Sequence, residues 1–376
     1  MKKGWETKKL GEIIQLEYGR PLADSERNPN GLYPAYGANG VKDRTDKFYK
    51  GAPSIIVGRK GSAGEVTLTE EKYWPLDVTF FVEFDRAKYD LQYLYILLLT
   101  LNLPSMAKGV KPGINRNDVY DITVTTPDIE EQHRIVTLLD EAFADIATAK
   151  ANAVKNLQNA RELFESHLQA AFTQQAGWEL KTFGELAEFR NGINFTKSSK
   201  GNEIKIVGVR DFQKNFWAPL DDIETIVPDG EIPASDLIES GDLLFVRSNG
   251  NPELIGRSLL IGDLHERITH SGFTIKARLR NTELNPIYLC HYLKTGLLRR
   301  EMIEGGNGAN IKSLNQGTLS RLKIAFPDKL KQLLIVKHLE TVQAEIAELE
   351  SIYRQKLTAL DDLKKSLLHQ AFSGQL

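Results

Sequence analysis

The 376-residue chain is 41% hydrophobic and carries 48 basic against 50 acidic residues, the balance of a water-facing globular protein. Its single cysteine, Cys290, excludes an intrachain disulfide framework and a cysteine-based zinc site, and reads as a small buried hydrophobe in a reducing cytoplasm. The longest apolar run, Tyr93 to Leu103, is broken by Thr100 and Asn102 and is too short to span a bilayer, and no apolar stretch follows Lys2 and Lys3 as in a secretory signal.

In chain order, Ser54-Ile55-Ile56-Val57 reads as a short buried strand, Val78 to Phe84 as another, and Asp90 to Leu101 as apolar at helical spacing. Glycines at Gly37, Gly40, Gly51, Gly58, Gly61 and Gly64 mark tight turns. From Ile129 to Gln175, Ile135, Leu139, Ala142, Ile146, Ala149, Ala153, Leu157, Ala160, Phe164, Leu168 and Phe172 recur in steps of threes and fours. That spacing predicts an amphipathic helix of roughly 45 residues, about 65 Å long. Beyond it, strands are expected over Ile204–Val209, Asp242–Arg247, Ser258–Gly262 and Gly272–Ala277, and a helix over Pro286–Leu298.

The C-terminal segment repeats the long helix at an offset of 200. Ile335, Leu339, Val342, Ile346, Leu349, Tyr353, Leu357, Leu360, Lys364, Leu368 and Phe372 answer the eleven positions, and only Phe164/Lys364 breaks the apolar match. Small alanines in one stripe face larger residues in the other, which predicts a helix pair. Trp5-Glu6, Gly11-Glu12 and Gly19 recur as Trp178-Glu179, Gly184-Glu185 and Gly192 at an offset of 173. Ile114-Asn115, Val119, Ile122, Val124 and Pro127 recur as Leu314-Asn315, Leu319, Leu322, Ile324 and Pro327 at an offset of 200. The expected fold is therefore α+β by internal duplication: mixed α/β units over 1–128 and 176–328, and long helices over 129–175 and 329–376 that form an antiparallel coiled coil. The second unit is longer by 27 residues, the difference between the offsets 200 and 173.

Most candidate chemistry fails. Gly306 to Ser313 departs from a phosphate-binding loop because Ile311 stands where a glycine must precede the lysine. Asn285-Pro286-Ile287-Tyr288 is one residue from the Asn-Pro-Pro-Tyr element of amino-methyltransferases, but no glycine-rich cofactor strand precedes it, and Pro286 suits the first turn of a helix. The seven histidines have no metal-ligand spacing, and His133 and His167 read as helix-surface residues. Neither catalytic residues nor a metal site are expected.

What remains is a set of polar, glycine-bearing loops. Arg59, Lys60 and Ser62 follow one strand directly; Arg247, Ser248, Asn249 and Asn251 follow another, with Arg257 beyond. Further candidates are Tyr36, Asn39, Lys42 and Arg44, then Lys108, Lys111 and Arg116, then Asn307 and Lys312. Each stretch alone is an ordinary solvated turn. Arginine, however, matches guanine O6 and N7, asparagine matches adenine N6 and N7, and glycine admits a phosphate close to the backbone. Overall charge does not add to this: residues 1–128 hold 18 basic and 17 acidic side chains, residues 176–328 hold 19 and 20. That neutrality leaves a second reading open, a coiled-coil scaffold with two protein-binding heads.

Taken together, the Trp-Glu start of each half, the strands ending in Arg-Lys-Gly and Arg-Ser-Asn-Gly, Pro34-Ala35-Tyr36-Gly37-Ala38-Asn39-Gly40, and the run from Pro127 through Glu131-Gln132 to Ile135 resemble the specificity (S) subunit of type I restriction–modification systems. The second copy keeps Pro327, Gln332 and Ile335 but has Lys331 in place of Glu131. The resemblance covers the whole chain. It implies two target-recognition domains related by pseudo-two-fold symmetry, each reading half of a split target in double-stranded DNA. It implies that the helix pair spaces them and docks two methyltransferase (M) subunits, with Glu131, Gln132 and Gln332 at the docking positions. S-adenosylmethionine would belong to those subunits, and ATP with Mg to separate restriction (R) subunits; this chain would hold no cofactor and catalyse nothing alone.

Overall fold

The computed structural model describes residues 4–173, 176–196, 199–213, 215–305 and 313–376. The chain divides into two compact units, Met1–Val154 with Arg354–Leu376, and Lys155–Tyr353.

The first unit opens with β1 (Glu6–Lys9), β2 (Ile14–Tyr18), β3 (Tyr33–Gly37), β4 (Gly40–Thr45), β5 (Ser54–Gly58), β6 (Val66–Thr69), β7 (Trp74–Pro75) and β8 (Thr79–Phe84). Helix α1 (Leu91–Thr100), helix α2 (Arg116–Tyr120) and β9 (Thr123–Thr126) follow, then long helix α3 (Ile129–Ala171). A four-stranded antiparallel sheet has the order β2-β8-β5-β6; a three-stranded sheet has the order β4-β3-β7, with β3 and β7 parallel; β1 pairs with β9. All five residues of β5 are buried because both faces of the strand are covered. Ile55 and Val57 enter the main core with Leu16, Phe80 and Tyr93, whereas Ile56 enters a smaller cluster with Tyr36, Tyr73 and Phe81.

The second unit contains β10 (Glu179–Thr182), helix α4 (Phe183–Leu186), β11 (Ala187–Asn191), β12 (Ile204–Val207), β13 (Glu224–Ile226), β14 (Leu243–Val246), β15 (Ser258–Leu260), β16 (Ile268–His270) and β17 (Thr274–Leu279). Helices α5 (Pro286–Leu293), α6 (Gly296–Glu304) and α7 (Gln316–Arg321), strand β18 (Lys323–Phe326) and long helix α8 (Lys329–Ser373) complete the order. Its sheets are β11-β17-β14-β15, β13-β12-β16 and β10-β18. Strand β14 again splits its residues, Leu243 and Phe245 to one core, Leu244 and Val246 to another.

The registers repeat. Glu6↔Thr126 becomes Glu179↔Phe326, at the offsets 173 and 200 read from the sequence. Ile14↔Phe84 becomes Ala187↔Leu279, which adds a third offset, 279 − 84 = 195. Gly58↔Thr79 becomes Val246↔Thr274. The extra residues of the second unit therefore lie in connections between conserved pairings: the six residues 59–64 correspond to the ten residues 247–256. The glycines noted in the sequence sit at close approaches. A Cβ on Gly19 would lie 2.0 Å from the Leu76 carbonyl oxygen, and one on Gly192 would lie 2.2 Å from that of His270.

Two expectations change. Pro286–Leu298 is not one helix: Thr295, in extended conformation, interrupts it between α5 and α6. Tyr36 to Arg44 is not a loop but the β3–β4 hairpin, with Ala38 and Asn39 at its tip.

The long helices have 43 and 45 residues. In the first unit Lys150 pairs with Asp361, Lys364 Nζ lies 4.6 Å from the Phe143 ring, and Arg134 Nη2 donates to the Leu376 carbonyl at 3.0 Å. In the second unit Arg161 pairs with Glu350 at 2.9 Å, Ala160 and Phe164 pack on Val342 and Ile346, and the His167 and His338 rings lie 5.5 Å apart. In both units the partner numbers fall as the α3 numbers rise, so the paired segments run antiparallel. Each unit also seats one helix end: Phe372 packs on Tyr93 of α1 at 5.2 Å, and Phe172 on Tyr288 of α5 at 5.1 Å. His167 is thus half-buried against a second histidine, and Leu349 of the expected stripe stays 38% exposed.

Candidate nucleic-acid interface

Arg59 and Arg247 occupy one backbone frame in two copies. Arg59 N–H donates to the Val78 carbonyl at 2.8 Å and its carbonyl accepts from Ile114 N–H at 3.1 Å. Arg247 N–H donates to the Phe273 carbonyl at 2.8 Å and its carbonyl accepts from Leu314 N–H at 2.9 Å. Each arginine therefore leaves a fully buried strand and meets the segment that precedes a short helix. Behind it, Gly64 N–H bonds the Gly58 carbonyl, and Gly256 N–H bonds the Val246 carbonyl. Both glycines have positive φ, 84° and 71°, which a side chain would strain.

In the first unit this frame gathers separate stretches of sequence. Gly61 N–H donates to the Pro112 carbonyl at 2.9 Å, and Lys108 and Gly113 exchange backbone hydrogen bonds at 2.9 and 3.0 Å. Gly58 lacks a Cβ where the Ala38 carbonyl approaches, so the hairpin tip lies beside the same loop; a Cβ there would sit 2.5 Å from that oxygen. Arg59, Lys60, Lys108, Lys111 and Arg116 thus converge, although they span nearly sixty positions of sequence. The Arg59 guanidinium donates through Nε and Nη2 to the Asp77 carbonyl at 3.1 and 2.6 Å, which fixes its plane and leaves the Nη1 end outward. Its Cζ lies 5.2 Å from the Tyr18 ring, and that of Arg116 lies 5.3 Å from the same ring. Lys108 is balanced by Asp118 at 3.0 Å, whereas Lys60 and Lys111 are exposed.

In the second unit the Arg247 side chain has no polar partner among the described residues. Its loop is tied by its own hydrogen bonds. Asn249 Oδ1 accepts from Asn251 N–H at 2.8 Å, and Asn251 Oδ1 caps Glu253 N–H at 3.0 Å. Beneath it Arg299 donates to the Ile255 and Glu253 carbonyls at 2.7 and 2.9 Å, and burial pulls its guanidinium below the usual range. Ser248 is half-buried in the same loop.

A family model for the type I restriction modification DNA specificity domain matches residues 2–156 and 175–359. The chain belongs to that family. Among curated members it is 26% identical over 291 residues to the type I restriction enzyme StySPI specificity subunit of Salmonella potsdam, a match over 71% of this chain but only 62% of that one. It is 22% identical over 415 residues to the EcoDI specificity subunit of Escherichia coli, covering 99% of this chain and 88% of the relative. Two solved structures share the fold end to end. One, from work on complex assembly and conformational transition of a type I R-M system, superposes with a TM-score of 0.77 at 17% identity over 100% of this chain and 99% of that one. The HsdS subunit from Thermoanaerobacter tengcongensis superposes at 0.64 and 18% identity over 100% and 98%.

Within this specificity-subunit frame the remaining sequence candidates separate. Asn39, Lys42 and Ser62 are exposed near the converged loops. Tyr36 is only 6% exposed because both faces of β3 are covered: Tyr36 belongs to the core cluster around Ile56, and its neighbour Ala35 to another with Leu22 and Leu76. Arg44 and Arg257 are engaged by backbone: Arg44 holds the Gly31 and Leu32 carbonyls at 2.6 and 2.7 Å, and Arg257 holds those of Gln213 and Glu253. Asn307 and Lys312, with the phosphate-loop near miss, lie outside the described residues.

Gln132 and Gln332 are corrected from docking positions to internal joints. Both are fully buried. Gln132 Oε1 accepts from Asp90 N–H at 2.9 Å while Nε2 donates to the Lys88 and Pro127 carbonyls at 3.0 and 2.9 Å. Gln332 repeats the set with Asn285 N–H at 2.8 Å and the Glu283 and Pro327 carbonyls at 3.0 and 2.9 Å. Asp90 and Asn285 are the caps of α1 and α5, so each glutamine ties a long helix to a helix of its own recognition unit. Glu131 lies on the outer side and pairs with Arg134 at 2.6 Å. Tyr18 and Arg299 were missed by sequence reading. A tyrosine ending an amphipathic strand just before the recurring Gly19 was the available signal for the first; nothing local marks the second.

Proposed function

We propose that this chain is the sequence-reading subunit of a type I restriction–modification complex. Each unit reads one half of a bipartite target in double-stranded DNA. The observation that carries the reading is the repeated frame that presents Arg59 and Arg247 at the end of a buried strand. Two copies of one presentation suit two half-sites, and different loops on them suit different sequences. The two units are taken to be related by pseudo-two-fold symmetry, with α3 and α8 as an antiparallel coiled coil that sets the gap.

The partners are two methyltransferase subunits that bring S-adenosylmethionine and methylate adenine, and restriction subunits that bring ATP with Mg; the complex works on cytoplasmic DNA. Support for two equivalent partners comes from the repeat itself: Glu6 on β1 and Asp128 at the start of α3 in one unit correspond to Glu179 on β10 and Asp328 at the start of α8 in the other. The test is to map methylated adenines with and without this chain in the presence of its modification subunits. A bipartite motif that vanishes with the chain is expected. The scaffold reading, which the near-neutral charge favours, predicts instead no sequence-selective, salt-dependent DNA binding by the assembled complex.

A further inference from the structure

Tyr18 is 48% exposed, yet three side chains approach its ring: Phe80 at 5.1 Å between ring centroids, and Arg59 and Arg116 at 5.2 and 5.3 Å. Core packing does not explain a half-exposed ring with two cations against it. The repeat shows what stands there in the other unit. Tyr18 opposes Phe80 as Asn191 opposes Ile275, at the offsets 173 and 195. Arg59 and Arg247 share their backbone frame, as described. Arg116 and Gln316 are each the first residue of a short helix after its asparagine cap, Asn115 or Asn315. One position thus gathers two guanidiniums at a ring, and the positions that correspond to it in the second unit carry one guanidinium and two carboxamide side chains.

Resting on the proposed function, we infer that this strand-end position is where the specificities of the two units diverge. Arg59, Tyr18 and Arg116 read guanine, and Arg247, Asn191 and Gln316 read a step that contains adenine. The chemistry is that of base edges in the major groove: guanidinium forks match the O6 and N7 acceptors of guanine, and carboxamides match the N6 donor and N7 acceptor of adenine. Arg59 is prepared for this because Asp77 already occupies its Nε edge, so the end-on edge, Nη1 with the second Nη2 hydrogen, is the fork left to meet a base. The Tyr18 ring supports both guanidinium planes.

The test selects duplexes, from a library with two randomised half-sites, on the full chain assembled with its modification subunits. The wild type is expected to select guanine in the half-site of the first unit, and 7-deazaguanine there should weaken binding by roughly tenfold or more. Tyr18→Asn with Arg116→Gln should replace that guanine preference and leave the other half-site as selected before. The reciprocal pair, Asn191→Tyr with Gln316→Arg, should bring guanine into the second half-site. The inference is overturned if neither pair alters its own half-site, if either alters both, or if 7-deazaguanine binds as well as guanine. That last arm uses the wild-type chain and so holds even where a variant folds poorly. A wild-type complex that selects no bipartite sequence would instead overturn the sequence-reading function itself.

Discussion

A buried carboxamide that satisfies three backbone groups leaves those groups unpaired when it is removed. Gln332→Ala should strand the Asn285 N–H and two carbonyls in the core and cost about 1–3 kcal/mol for each donor or acceptor left unsatisfied. Urea titration monitored at the N-terminal turns of α5 and α8 checks this. Gln132→Ala should do the same at α1 and α3, and an unchanged midpoint in both would show that the joints are not structural. At the reading position, Arg59→Ala should weaken discrimination in one half-site and Arg247→Ala in the other, by about 1–3 kcal/mol each. Competition binding with single-base variants measures it; equal relaxation of both halves by either substitution would rule out the assignment.

At the scale of elements, the strand pairs β2–β8 and β11–β17 share a constraint at their exits. A methyl group on Gly192 would collide with the carbonyl oxygens of His270 and Ser271, both at 2.2 Å. Gly192→Ala should therefore displace β11 from β16 and destabilise the second unit while sparing the first; Gly19→Ala should do the converse. Amide exchange in β17 and β8 separates the two outcomes. The second unit also carries an acid sensitivity. Burial pushes the His270 imidazole down from 6.5 to about 3, with Lys276 adding to the effect, and pushes His291 down to about 4. Unfolded, both would take up a proton near 6.5. The unfolded state therefore binds more protons between that pH and the depressed values, and stability falls as pH is lowered through this window. The slope contributed by each histidine approaches about 1.4 kcal/mol per pH unit. Exchange protection of β17 should drop between pH 6.5 and 4.5, and replacing His291 by leucine should flatten the slope. A pH-independent β17 would contradict the burial of these rings.

For the whole molecule, the division between the compact units falls at 154/155 in α3 and 353/354 in α8, inside continuous helix in both cases. If the helices set the gap between half-sites, four residues inserted after Asn156 should lengthen it. Four residues add about 6 Å and turn the helix about 400°, so the apolar stripe returns to within about 40° of its phase. The half-site sequences should survive and the gap should grow by one or two base pairs. Methylation mapping of the insertion variant reads this directly, and an unchanged gap with full activity would remove the spacing role.

The recurring segments, the long helices and the short buried strands were legible in the sequence because they rest on period and offset. Apolar steps of threes and fours, the offsets 173 and 200, and the recurring Trp5/Trp178 and Gly19/Gly192 are one-dimensional facts. The hairpin at β3–β4 was hidden because the glycines that flank its Ala38-Asn39 tip look like an open loop, and the break at Thr295 because apolar residues resume close on either side, Leu293 before it and Leu297 and Leu298 after it. Which polar residues work inward was decided only in three dimensions. Gln132 and Tyr36 have the sequence character of contact residues, but the turn of a helix points the first into the core and a strand covered on both faces buries the second. Lys108, Arg116 and Tyr18 are far from Arg59 in the chain, and only the backbone bonds from Gly61 to Pro112 and from Ile114 to Arg59 bring them to one place.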